Sequence, residues 1–137
     1  MTMGRTNPMM ILASDNSLAL MGNIDYGAAL YIDGTHSIVE LGCQVLTISL
    51  TINDHGVRVC YCITRERTVE AYCELFDAVA RLSGNRAVVK HVVVDHELAL
   101  HKAIRATWSC DVHLCYFHFN PYRSEFFSIT CYFFFIV

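Results

Sequence analysis

Two aspartates in this sequence follow short apolar runs that have the length and composition of β-strands. Asp33 closes the run AALYID, and Asp95 closes the run HVVVD. In open α/β sheets ligands bind at the carboxyl ends of strands, so carboxylates on neighbouring parallel strands would converge there. Close oxygen ligands suit Mg²⁺ or Mn²⁺, and a pair of such ions can act on both oxygens of a phosphoryl transfer. An aspartate that closes a strand is also ordinary turn chemistry, and spacing alone leaves both alternatives open.

A Cys-x-x-His pair, Cys115 and His118, follows about twenty residues after Asp95. A structural zinc site needs four ligands, and this pair supplies two. Cys110 and His113 could be proposed as the remainder, but residues on one short strand alternate faces and do not easily surround one ion. We favour a local role for the pair near the metal site, and buried strand residues are the alternative.

A β-hairpin is predicted in the middle of the chain. QVLTISLTI (44–52) and VRVCYCIT (57–64) both alternate apolar and polar residues. The residues between them, Asn53 to Gly56, are typical of turns. The second strand is therefore expected to return antiparallel to the first.

Two amphipathic helices are predicted after the hairpin. Thr68 can cap the first helix and Gly84 can end it. Its apolar residues recur at helical spacing and are expected to pack on a sheet: Val69, Tyr72, Leu75, Phe76, Val79 and Leu82. The second helix is expected from about Glu97 to Trp108, with Leu100, Ala103, Ile104 and Trp108 on one side.

The order of these elements predicts a mixed α/β sheet with helices packed on it. HVVVD (91–95) is expected to be a strand buried on both faces, and DVHLCYF (111–117) to be the last strand. With AALYID as strand 1, right-handed crossovers predict the spatial order 3-2-1-4-5. Strands 1 to 3 are then antiparallel, and strands 1, 4 and 5 are parallel.

Composition agrees with one globular domain. The chain has 137 residues, 54% of them apolar and 17% charged, which is enough to bury a substantial core. The net charge is −3 and the Lys and Arg residues are scattered, so no basic stripe indicates a nucleic-acid partner. The seven cysteines lack the even framework of a small secreted scaffold, and we interpret them as reduced thiols of an intracellular protein, with Cys60 and Cys62 in the core.

Neither end of the sequence predicts a signal peptide or a membrane anchor. The apolar stretch Met9 to Ala13 is too short for a signal peptide. The uncharged segment FFSITCYFFFIV (126–137) falls well short of the roughly 20 residues that span a bilayer. We expect this segment to be a buried terminal element or sequence unrelated to the rest.

In combination the motifs resemble a known family. YIDGTH, VVVDHELALHKAI and DVHLCYFHF occur in the order and at the spacings found in the catalytic domain of Mutator-like element (MULE) transposases, members of the ribonuclease H-like superfamily. MILASDNSLALMGN and RERTVEAYCELFDAV are also similar to segments of that family. The resemblance covers about residues 10 to 120.

The resemblance implies cut-and-paste DNA transposition with Mg²⁺ or Mn²⁺ held by an Asp, Asp, Glu triad. Asp33 matches the first acid and Asp95 the second, so both would be catalytic residues and metal ligands. Cys115 and His118 match the family's Cys-x-x-His motif. The implied partner is DNA at transposon ends, the implied location is the nucleus, and the full-length family implies a possible oligomer. No membrane partner is expected.

The third acid of the triad has no match in this sequence. Glu125 follows His118 by seven residues, too soon for the family's pattern, and Pro121 interrupts the expected helix. We therefore interpret 1–125 as a partial transposase domain and 126–137 as an unmatched apolar tail, with the enzyme inactive as it stands. The alternative is a non-catalytic, transposase-derived module that binds DNA or a protein.

Several other polar residues near the motifs have both a functional and an ordinary interpretation. His96 could orient Asp95 or approach a DNA phosphate, or it could be an exposed loop residue; His36 and His101 lie nearby in the sequence. Three arginines could follow a DNA backbone or be ordinary solvated charges: Arg58, Arg65 and Arg67.

Overall fold

The computed structural model describes residues 9–23, 29–35, 42–53, 55–84 and 89–115. Within these ranges the chain forms six strands and three helices. In chain order they are β1 (Met9–Ala13), α1 (Asp15–Gly22), β2 (Ala29–Thr35), β3 (Gln44–Ile52), β4 (His55–Thr64), α2 (Val69–Leu82), β5 (His91–Val94), α3 (Leu98–Trp108) and β6 (Asp111–Leu114).

The predicted hairpin is confirmed as β3 and β4. The two strands pair antiparallel from Gln44 opposite Thr64 to Ile52 opposite His55. Asn53 takes a positive φ of 48° in the connection, a conformation that Asn tolerates better than most residues. The register shifts after Ile48, which marks a β-bulge.

The six strands form one mixed sheet in the order β1-β4-β3-β2-β5-β6. β1, β4, β3 and β2 pair antiparallel with their neighbours, and β5 and β6 continue the sheet parallel to β2. The α/β class is confirmed, but the strand order differs from the expected five-stranded order. The difference is β1, which pairs with the outer edge of β4 and supplies backbone partners that an edge strand would lack.

The first predicted helix is confirmed as α2, with one error in its apolar stripe. The Thr68 side chain accepts a hydrogen bond from the Ala71 backbone N–H at 3.2 Å, which caps the helix. The stripe is buried at Tyr72, Leu75, Phe76 and Val79. Leu82 was expected to continue this stripe but is 54% exposed, because the helix ends there.

The second predicted helix is confirmed as α3, which packs on α2. The rings of Phe76 and Trp108 lie 4.9 Å apart between centroids, and Leu100, Ala103 and Ile104 are fully buried. Ser109 ends the helix in the left-handed conformation.

Strand β5 is buried on one face, whereas burial on both faces was expected. Val92 and Val94 are fully buried, but His91 and Val93 on the opposite face are half-buried. The prediction was wrong because a continuous apolar run does not by itself require that other elements pack on both faces of the strand. Here the core formed with the helices lies on one face only, among the residues that the structure describes.

Helix α1 was not expected from the sequence. Its Ser14 side chain accepts a hydrogen bond from the Ser17 backbone N–H at 3.1 Å, and Met21 is fully buried. No helix in the described ranges is both long and apolar enough to cross a membrane. The last strand was expected to reach residue 117, but residues 116–137 lie outside the described residues, as do the predicted tail and its boundary.

Candidate metal centre

Asp33 and Asp95 occupy equivalent positions along two neighbouring parallel strands. β2 and β5 pair in parallel register with Ile32 opposite Val94. Asp33 is the next residue in β2, and Asp95 directly follows β5. The pairing of a long central strand with a short apolar strand thus brings the two acids to one end of β5.

The carboxylates approach this position from different directions. Asp33 alternates with Ile32 and Gly34 along β2, so its side chain leaves the sheet on the face opposite to theirs. Asp95 is 8% exposed, and its Oδ2 lies 3.5 Å from the position that a Cβ on Gly34 would take. The two acids are therefore neighbours in the sheet, with Asp95 on the side of the helices.

A buried polar network lies beside Asp95. The Tyr72 hydroxyl of α2 is 2.6 Å from Oε1 of Gln44 and 2.7 Å from Oε1 of Glu97. Nε2 of Gln44 donates to Oε2 of Glu97 at 3.4 Å. Gln44 is 1% exposed and Tyr72 is fully buried. The network therefore connects β3, α2 and the residue preceding α3.

The hydroxyl of Tyr72 has one proton for two acceptors at similar distances. A donor bonded to a carboxylate forms the stronger, charge-assisted hydrogen bond, so Glu97 is the preferred acceptor. Burial raises the pKa of Tyr72 above its ordinary value, and the hydrogen bond to Glu97 and the charge of Glu97 raise it further, with a smaller contribution from Asp95. Tyr72 therefore remains a neutral donor beside two carboxylates.

Gly34 makes room for this arrangement. A Cβ at this position would lie 2.6 Å from Nε2 of Gln44, well inside van der Waals contact, and 3.3 Å from Cδ2 of Leu46. The Gln44 amide and the Asp95 carboxylate both pack over the glycine backbone. The glycine of the DGT motif thus leaves space that a larger residue could occupy only if the Gln44 amide moved.

The backbone around Asp95 is held from α3 as well. Nε2 of His101 is 2.7 Å from the Asp95 carbonyl oxygen, so this nitrogen carries the donated proton. Glu97 occupies the N-cap position of α3 but makes no side-chain capping hydrogen bond. Its side chain turns instead to Tyr72 and Gln44.

The described residues do not form a complete metal site, and the side chains of Asp33 and Asp95 lie on different faces of the sheet. Among the described residues, no group of three or more His, Cys, Asp or Glu side chains could hold a metal ion. Asp33 and Asp95 offer carboxylate oxygens, the ligands that Mg²⁺ and Mn²⁺ prefer, and Mg²⁺ commonly keeps several waters. The described residues supply no separate ligand set for a second ion.

The Cys-x-x-His pair is only half described. Cys115 directly follows β6, is half-buried with a free thiol, and its backbone N–H donates to the Val94 carbonyl at 2.8 Å. This bond places Cys115 next to the end of β5, but His118 lies outside the described residues. Burial raises the pKa of the nearby Cys110 thiol, which disfavours the metal-binding thiolate form.

The remaining candidate residues are mostly exposed. His96 and the three arginines Arg58, Arg65 and Arg67 have exposed side chains, and His36 lies outside the described residues. Cys60 and Cys62 are buried with their sulfur atoms 3.8 Å apart, as expected of core thiols, and the contact with Cys60 and burial raise the pKa of Cys62.

Sequence reasoning missed four residues around Asp95. Tyr72 was read as an apolar stripe residue, Gln44 as the start of a strand, Glu97 as the start of a helix and His101 as a neighbour in sequence only. A polar residue at an inward strand position, as Gln44 is beside Leu46, was the available signal of a buried partner. Comparison of this chain with protein-family models, curated proteins and solved structures gave no match.

Proposed function

We propose that this chain derives from the catalytic domain of a MULE-type DNA transposase of the ribonuclease H-like superfamily, in which Asp33 and Asp95 bind Mg²⁺ or Mn²⁺. The observation that carries the proposal is the pairing of β2 with β5, which makes the two acids neighbours at one end of β5. The order of the DGT, Asp95 and Cys-x-x-His motifs supports it. DNA at transposon ends, a nuclear location and assembly into an oligomer belong to the same proposal.

Metal-dependent phosphodiester hydrolysis and strand transfer form the reaction class. A bound divalent ion would supply Lewis-acid stabilisation of charge on phosphate oxygens and activate a water. Asp33 and Asp95 would hold that ion through their carboxylates. Because the described residues contain no third carboxylate in the group, we expect weak metal binding and no strand cleavage.

Metal titration of the purified chain tests this proposal. Mn²⁺ binding is measured by calorimetry for the unaltered chain, Asp33→Asn and Asp95→Asn, with Asp77→Asn on the exposed face of α2 as the matched control. We expect each site variant to lose at least about tenfold in affinity, in the range found when groups that support a metal are removed, and the control to be unchanged. Loss in Asp95→Asn alone would mean that the two acids do not share an ion.

A nicking assay tests the expected inactivity. Supercoiled DNA and duplexes with matching element ends are incubated with the protein and Mn²⁺, and nicked or joined products are measured. Nicking that disappears in Asp33→Asn would contradict the expectation of an inactive chain. DNA binding without any metal binding would favour the second candidate, a non-catalytic module.

A further inference from the structure

Two histidines lie side by side on the face of the sheet opposite to the helices, on strands β5 and β6. In the parallel register of these strands His91 is opposite Asp111, and Val93 is opposite His113. Because side chains alternate along a strand, His91 leaves the sheet on the face opposite to the buried Val92. The two imidazole rings meet diagonally across the strands, with their centroids 5.4 Å apart.

The facing nitrogens of this pair have a separation that one metal ion can bridge. Nδ1 of His91 lies 3.2 Å from Nε2 of His113, so one of these nitrogens carries a proton and donates it to the other. In a tetrahedral site with Zn–N bonds of about 2.0–2.1 Å, two imidazole nitrogens lie about 3.3–3.4 Å apart. The strands therefore hold the two nitrogens within about 0.2 Å of the spacing that a shared Zn²⁺ ion requires.

We infer that His91 and His113 form a binding site for Zn²⁺ or another divalent transition metal ion that prefers imidazole ligands. Nδ1 of His91 and Nε2 of His113 are the two ligand atoms. When the ion enters, the proton between the rings moves through water to the other nitrogen of its own ring, so both imidazoles remain neutral ligands. This inference does not rest on the proposed function, because Asp33 and Asp95 take no part in it.

The surroundings of the pair give an ion access and space. The His91 side chain is 41% exposed, so the facing nitrogens can be reached from solvent. Oδ2 of Asp111 lies 3.9 Å from Nδ1 of His91 and brings a negative charge close to the position of the ion. An open pocket of about 220 Å³ beside the rings has room for water ligands, and it is lined by Ala29, Tyr31, His91, Val93, His113 and Leu114.

The number of protein ligands determines what kind of site this is. A structural zinc site has four protein ligands, whereas the described residues contain no group of three or more His, Cys, Asp or Glu side chains that could hold a metal ion. The histidine pair therefore binds its ion reversibly, with water in the remaining positions. Imidazole suits Zn²⁺, Cu²⁺ and Ni²⁺, and Mg²⁺ prefers oxygen ligands, so excess Mg²⁺ should not displace Zn²⁺ from the pair.

The test compares His91→Gln and His113→Gln with a matched control, His55→Gln, which replaces an exposed histidine in β4. Zn²⁺ affinity is measured by calorimetry in excess Mg²⁺, and thermal unfolding checks that each variant is folded. We expect each site variant to lose at least about tenfold in Zn²⁺ affinity, because loss of a ligand costs no less than loss of a group that supports one. The control should bind as the unaltered chain does.

NMR of the imidazole nitrogens in the unaltered chain provides a second measurement at the site itself. Long-range ¹H–¹⁵N spectra should show that Zn²⁺ shifts Nδ1 of His91 and Nε2 of His113, and that the proton of each ring lies on its other nitrogen. Binding of Zn²⁺ elsewhere, with these two nitrogens unmoved, would overturn the inference. Affinity within twofold of the unaltered chain in either site variant would also overturn it, since one imidazole would then suffice. If a variant does not fold, the nitrogen shifts of the unaltered chain decide.

Discussion

The two faces of the sheet differ in their burial, although the strands contribute residues to both in alternation. Toward the helices the strand side chains are 2% exposed or less: Leu30, Ile32, Leu46, Ile48, Leu50, Cys60, Cys62, Val92 and Val94. On the opposite face Met10 is 55%, Leu12 51% and Tyr61 37% exposed, and Tyr31, Thr47 and Val93 are half-buried. One face therefore forms the core, and the other keeps much of its apolar surface accessible in the described structure.

Polar groups behave differently on these two faces. On the covered face the buried Tyr72 hydroxyl and the buried Gln44 amide both donate to Glu97. On the open face His91 and His113 are 3.2 Å apart between Nδ1 and Nε2, where water can replace either partner. The same type of contact should thus carry far more free energy on the covered face.

The largest expected effect comes from a matched pair of tyrosines, one on each face. Tyr72→Ala should lower the free energy of unfolding by about 3–5 kcal/mol, because it opens a cavity and removes the network's central hydroxyl. Tyr61→Ala should cost no more than about 1 kcal/mol. Chemical denaturation measures both, and equal losses would contradict the difference between the faces.

A smaller loss is expected from Gly34→Ala. The added Cβ would lie 2.6 Å from Nε2 of Gln44, so the amide must move out of its hydrogen bonds. We expect about 1–3 kcal/mol of destabilisation from this overpacking, measured by denaturant unfolding. Gly42→Ala is not a suitable control, because Gly42 has a positive φ that strains any other residue. Ala99→Gly on α3 serves as the comparison, and it should lower the free energy of unfolding only by the cost of a glycine in a helix, about 1 kcal/mol. A stabilised Gly34→Ala variant would show that Gln44 is not held in place.

Alkaline pH should weaken the covered face through Tyr72. Its pKa is raised in the folded state, so the folded protein keeps the hydroxyl proton at pH values where the unfolded chain, with a Tyr pKa of about 10, has lost it. The stabilisation is complete below about pH 10 and declines as the pH rises above it, by up to about 1.4 kcal/mol per pH unit for this group. Between pH 8 and 11, denaturation should show that the free energy of unfolding declines less in Tyr72→Phe than in the unaltered chain. In Tyr61→Phe the decline should equal that of the unaltered chain.

The smallest effect is expected for the exposed histidine pair. His113→Asn should change the free energy of unfolding by no more than about 0.5 kcal/mol, because water replaces the contact with His91. His101→Asn, which removes the bond to the Asp95 carbonyl, should cost about 0.5–1.5 kcal/mol. Thermal unfolding of both variants checks the order, and a larger loss in His113→Asn would reverse it.

Elements with strong local patterns were predicted well. The alternation in β3 and β4 with turn residues between them led to the observed hairpin, and the apolar stripe behind Thr68 led to α2. β1 and α1 were missed because each is short, and β1 is stabilised by pairing with β4, which lies about fifty residues later in the chain. Such pairing leaves little local signal.

The candidate site was predictable only in part. The carboxylates of Asp33 and Asp95 could be found because each follows an apolar run, and their strands are indeed parallel neighbours. The network beside them could not be found, since Gln44, Tyr72 and Glu97 are distant in sequence and each fits the ordinary pattern of its own element.

The sequence by itself determined the α/β class, the hairpin, two of the three described helices and the position of Asp95 after β5, because periodicity, capping and turn preferences act over a few residues. Asp33 was expected to close its strand, but β2 continues to Thr35 because Gly34 and Thr35 also pair with β3. Tertiary structure alone decided that β1 extends the sheet, that β5 is buried on one face, and that Tyr72 serves as a buried donor to Glu97. These features depend on which distant surfaces meet. Burial then sets the cost of every unpaired polar group, and that cost is a property of the packed molecule.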